Sequence, residues 1–169
     1  MKLRPYQNLA ADFLYERDRA MILAPVGAGK TAITLTAMRD MLGAGEVQRF
    51  LVVAPKRVAV IVWPAEAKLW APGLSLSVVI GTPTQRVKAL QANVQVVVAT
   101  YDNLQWLADH WDRSWGFDAV VFDELTRLKN PSGARFKAFN KVITEVRTRW
   151  GLTGSFTSNG LEDVFGQCK

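Results

Sequence analysis

Residues 50–54 read FLVVA and residues 94–99 read VQVVVA, nearly unbroken apolar runs. A strand with one wet face alternates apolar and polar side chains. A continuous run has to be covered on both faces, as in a parallel sheet between two layers of helices. Ala119–Phe122, AVVF, has the same character. The segments between these runs carry helical spacing. Strand and helix in alternation define an α/β class with crossover helices. Ligands of such sheets bind outside the carboxyl ends of the strands. Lys30, Lys56, Thr100, Asp123 and Thr153 each come just after a predicted strand, and these are the positions to search for chemistry.

Taken in order, Pro5–Arg17 is predicted to be a helix with proline in its first turn and Leu9, Ala10, Phe13 and Leu14 on its apolar face. Met21–Ala24 is a strand and Thr31–Leu42 a helix closed by Gly43-Ala44-Gly45. Phe50–Ala54 is a strand stopped by Pro55, and Val58–Trp70 a helix that Pro64 bends or splits. Leu76–Ile80 is a strand, Gln85–Ala92 a helix capped by the turn before it, and Val94–Ala99 a strand. Tyr101–Asp109 is a short helix and Asp112–Gly116 a loop. Ala119–Phe122 is a strand, Ser132–Val146 a helix, Arg149–Leu152 a last short strand, and Leu161–Gln167 the start of a helix.

A chain of 169 residues suits one domain with a sizeable core. No apolar run approaches the ~20 residues of a membrane span, and no secretory signal opens the chain. Cys168 is the only cysteine, which excludes an internal disulfide and fits a reducing cytosol. The formal charge of +6 suits a polyanionic partner such as DNA, or simply a soluble basic protein. His110 stands alone and is not expected to hold a metal. Trp63, Trp70, Trp106, Trp111 and Trp115 are expected to pack or cover rather than stack on bases.

Ala24–Thr31, APVGAGKT, lies between a strand and a helix, the setting of a phosphate-binding loop. Pro25, Gly27, Ala28 and Gly29 would shape a loop whose N–H groups face anionic oxygens, and the helix start adds its positive dipole end. Lys30 supplies a point charge for the terminal phosphates, and the Thr31 hydroxyl can ligate Mg2+. The pattern normally opens with Gly, and here that place is Ala24. Asp123 and Glu124 end the run AVVFDE. Asp123 would hold Mg2+ opposite Thr31, and Glu124 would orient and deprotonate the attacking water.

With these motifs in order the chain resembles the first motor domain of superfamily-two helicases, most closely the Swi/Snf-type DNA translocases of phages and bacteria. Leu3-Arg4-Pro5-Tyr6-Gln7 is similar to the family's opening LRPYQ motif, APVGAGKT to motif I, and VVAPKRV with Trp63 and Glu66 to motif Ia. VVVATYDNL is similar to motif Ib, VVFDELTRLKN to motif II, and GLTGSFTSNGLEDVFGQ to motif III and the family's run after it. The resemblance implies a RecA-like P-loop NTPase fold, with ATP and Mg2+ as cofactors and DNA, of the duplex form, as partner. It implies the cytoplasm of a bacterium or of a phage-infected cell.

Residue by residue, the Gln7 amide would read the adenine edge, with Arg4 and Tyr6 lining that pocket or packing the helix. Lys56 and Arg57 would meet DNA phosphates, or form a solvated basic helix start. Thr100 and Tyr101 would meet the DNA backbone, or cap the next turn. Arg127 and Lys129 would touch DNA or a second motor domain, or balance nearby charge. Thr153, Gly154 and Ser155 would couple the ATP and DNA sites, with Ser155-Phe156 standing where the family carries Thr-Pro.

The family's second motor domain, which brings an arginine finger, is expected to be absent from this chain. Either the gene product is truncated, or the second domain belongs to the rest of a longer gene product, or it arrives on another chain. Without such a finger turnover is expected to be very weak, since its loss costs about 10³–10⁵ in rate elsewhere. A non-motor module that binds DNA or a protein and uses nucleotide as a switch is the alternative.

Overall fold

The computed structural model describes residues 2–23, 29–124 and 134–153. The expectations for Pro25, Gly27, Ala28, Arg127, Lys129, Gly154, Ser155 and the helix 161–167 lie outside them.

The described residues form a sheet of six parallel strands: β1 (Arg19–Leu23), β2 (Phe50–Ala54), β3 (Leu76–Val78), β4 (Val96–Thr100), β5 (Ala119–Phe122) and β6 (Thr148–Thr153). Their spatial order is β1-β6-β5-β2-β4-β3. The helices are α1 (Pro5–Tyr15), α2 (Lys30–Gly43), α3 (Trp63–Trp70), α4 (Pro83–Gln91), α5 (Leu104–His110) and α6 (Ala134–Val142).

The apolar runs are buried on both faces as their composition demands. Every residue of β2, β4 and β5 is buried. Alternate side chains feed two cores. Phe50, Val52 and Ala54 join Leu14 of α1, Met38 of α2 and Trp63 of α3 on one side. Leu51 and Val53 join Leu90 of α4, Leu107 of α5 and Phe139 of α6 on the other. Thus α1–α3 cover one face and α4–α6 its opposite.

Several local expectations shift. In α1 the buried residues are Gln7, Ala11 and Leu14, while Leu9 is 71% exposed. At 100° per residue, a helix that buries Gln7 turns Leu9, two residues on, to the far side. Between Arg57 and Trp63 the helix widens into a π-turn, Val58–Val62, with the Trp63 N–H bonded to the Val58 carbonyl. Pro64 comes directly after, and a residue without an N–H cannot keep the ordinary ladder going there. The segment predicted as loop at Asp112–Gly116 contains a 3-10 turn, Arg113–Trp115, capped by the Asp112 side chain. Strand β4 runs one residue further than predicted and takes in Thr100.

Candidate functional site

The carboxyl ends of β1, β6, β5, β2 and β4 lie side by side, in that order. Register levels them: Leu23 pairs with Thr153, Gly151 with Phe122, Phe122 with Val53, and Ala54 with Thr100. The residues after each of these strands therefore emerge on one edge.

At the β1 end, Gly29 precedes α2 with φ of +79°, a left-handed conformation that suits glycine. Lys30 and Thr31 open the helix, so Lys30 joins the positive end of the helix dipole. Lys30 is 9% exposed. Across α1, Gln7 is also 9% exposed. Its Oε1 accepts the Arg4 N–H at 2.8 Å, while its Nε2 lies 2.4 Å from where a Gly29 Cβ would sit. The residue expected to read the adenine edge thus abuts the end of the loop expected to hold phosphates.

At the β5 end, Asp123 is 3% exposed. Its N–H continues the sheet ladder to the Val53 carbonyl at 2.8 Å. Its Oδ2 accepts the indole Nε1–H of Trp63 at 2.9 Å. Its carbonyl accepts the Tyr101 hydroxyl. Burial raises the Asp123 pKa above the ordinary carboxylate value; the Trp63 hydrogen bond opposes this, Glu124 adds to it, and the Lys30 charge opposes it. Glu124 has φ of +57°, the only positive φ of a non-glycine residue among the described residues. That conformation costs about 1–3 kcal/mol and is characteristic of functional turns.

The expected DNA contacts divide. Lys56 and Arg57 lie at the start of the helical stretch after β2, both exposed. Thr100 is 4% exposed inside β4, and the Tyr101 hydroxyl is committed to Asp123. Burial beside two carboxylates pushes the Tyr101 pKa well above its usual value, so the hydroxyl remains a donor. These two residues support the sheet edge instead of presenting hydroxyls to solvent. Thr153, expected to couple the sites, ends β6 with 1% exposure, between the β1 and β5 ends.

Trp63 packs as expected, with no exposure, but its bond to Asp123 is an addition that no local pattern announces. His110 stacks on Trp106 with centroids 4.6 Å apart. Among the described residues no three His, Cys, Asp or Glu side chains gather into a metal cluster. Mg2+ does not need one, because it keeps several waters and takes one or two protein ligands plus phosphate oxygens. A buried carboxylate on the same edge as a threonine at a helix start is a donor set of that kind, and the lysine beside the threonine supplies charge for phosphate.

A family model described as the SNF2-related domain matches residues 6–167. Protein p41 of Acyrthosiphon pisum secondary endosymbiont phage 1 is 39% identical over 97% of this chain and 38% of its own length. Helicase ssl-1 of Caenorhabditis elegans is 28% identical over 97% of this chain and 7% of its own. Among solved structures, the Sulfolobus solfataricus SWI2/SNF2 ATPase core in complex with dsDNA superposes with a TM-score of 0.76 at 25% identity, covering 98% of this chain and 34% of that one. The UvsW helicase of bacteriophage T4 shares the fold, with a TM-score of 0.70 at 18% identity over 92% of this chain and 53% of that one. The chain spans well under half the length of the curated relatives it matches.

Proposed function

The chain belongs to the SNF2-related domain family, and from that premise we propose that it is the ATP-binding motor domain of a DNA translocase. The observation that carries this reading is the single sheet edge where Gly29, Lys30, Asp123 and Glu124 emerge, with Gln7 against Gly29.

In this reading Gln7 selects adenine, while the helix start at Lys30 neutralises the terminal phosphates. Thr31 and Asp123 would hold Mg2+, which when bound shields the phosphate charge. Glu124, kept beside Asp123 by the left-handed turn, orients a water and takes its proton. Hydrolysis would be coupled to movement along duplex DNA once a second motor domain completes the site. Lys56 and Arg57 would carry the phosphate contacts of this half. Such a protein would work in the cytoplasm of a bacterium or of a phage-infected cell. Among the described residues no helix is long and apolar enough to cross a membrane.

Thermal unfolding with and without Mg2+–ATP tests the reading. At one hundred times Kd, binding stabilises by about 2.7 kcal/mol, a rise of several degrees for a domain of this size. Lys30→Ala is expected to abolish the rise. An unshifted wild-type protein, or an equal shift in Lys30→Ala, removes ATP from the account.

A further inference from the structure

Asp123 is the point on which three distant segments converge. Its backbone is pinned twice, by the N–H bond to Val53 and by the Tyr101 hydroxyl on its carbonyl. With the backbone held, the remaining freedom of the carboxylate is rotation about its own side-chain torsions. The Trp63 indole sets that rotation through its bond to Oδ2 at 2.9 Å. The indole can do so because it is closely packed: Trp63 has no exposure and lies in the core with Val52, Val98 and Val121. The π-turn at Val58–Val62 precedes it, and π-turns cluster at functional positions. An indole N–H is a donor only, so it can hold an ionised carboxylate oxygen but cannot compete with it for a cation.

We propose that Trp63 is a positioning residue for the metal, aiming the Asp123 carboxylate at the cation of Mg2+–nucleotide. The proposal rests on the nucleotide reading above. It makes Trp63 one of the partners that orient a metal ligand, whose loss typically lowers metal affinity about 10–100-fold.

Trp63→Phe retains an aromatic ring and removes the N–H. Nucleotide affinity is measured with Mg2+ and with EDTA, beside a denaturation curve that confirms folding. The wild-type protein is expected to bind ATP more tightly with Mg2+. In Trp63→Phe that enhancement falls about tenfold, while affinity in EDTA is unchanged. An unaltered enhancement in the folded variant overturns the positioning role alone. A wild-type protein that binds no nucleotide overturns the nucleotide reading and this proposal with it.

A second measurement needs no variant. In wild-type protein labelled with ¹⁵N-tryptophan, the Trp63 indole signal is expected to move when Mg2+ is added to the ATP-bound protein. The Trp150 indole, also buried but bonded to the Arg17 carbonyl at 3.1 Å, is expected to stay. A Trp63 signal that moves no more than that of Trp150 overturns the proposal.

Discussion

Gly29 carries two demands at one Cα. Its φ of +79° is left-handed, and a Cβ there would lie 2.4 Å from Gln7 Nε2. The first demand costs an L-residue roughly 1–2 kcal/mol; the second adds a clash with a buried side chain. Gly29→Ala is therefore expected to lower the unfolding free energy by about 1–3 kcal/mol. In a Gln7→Ala chain the same change should cost only the backbone part. Urea denaturation of the four proteins measures the coupling, and strict additivity would mean that Gln7 does not abut Gly29. Lys30, Asp123 and Glu124 were legible in the sequence because their chemistry travels with adjacent residues, a glycine-rich turn or the end of an apolar strand. Gln7 against Gly29 and Trp63 on Asp123 were not, because each joins residues far apart in the chain, 60 positions in the second case.

Between elements, the least anticipated device is Arg49 at the opposite end of the sheet. Its guanidinium donates to the carbonyls of Ala92, Val94 and Trp115 and sits 4.8 Å over the Phe117 ring. One side chain thus joins the start of β2 to the α4–β4 connection and the 3-10 turn before β5. Burial lowers its pKa from the usual arginine value. A lysine lacks the planar fork needed to reach three carbonyls. Arg49→Lys should cost about 1–3 kcal/mol of stability and leave nucleotide affinity unchanged, because the edge proposed to bind nucleotide is the other end of the strands. Loss of nucleotide binding in a folded Arg49→Lys protein would contradict that separation. At this scale the strands were readable from their unbroken apolar runs, and Pro64 announced a break in its helix. Leu9 misled, because its polar neighbour Gln7 holds the buried position and so sets the face of α1.

Over the whole molecule, charge decides how a polyanion is met. The net charge is +6, and Lys56 and Arg57 stand on the edge that also carries Lys30 and Asp123. Binding to a duplex oligonucleotide should weaken steeply between about 50 and about 200 mM salt as counterions are released. Replacing both residues by alanine should flatten the slope of log K against log salt by about 1 for each phosphate no longer neutralised. Fluorescence anisotropy across a salt series reads it, and an unchanged slope would take Lys56 and Arg57 out of the DNA contacts.

Neighbouring residues were enough to specify a parallel sheet layered by helices and an acidic pair after its fifth strand, and to raise the expectation of a phosphate-type loop after its first. Each of these is written in neighbouring residues: runs that cannot face water, a turn that admits glycine, polar groups set at strand ends. It takes the assembled fold to set β6 between β1 and β5, to bring Gln7 against Gly29, and to place an indole from α3 on Asp123. FLVVA, VVVAT and AVVF are nearly interchangeable as apolar strands, so their local pattern does not encode which lies beside which. Their order is chosen by how α1–α3 and α4–α6 fill the two faces together, and with it the set of side chains that meet at the edge.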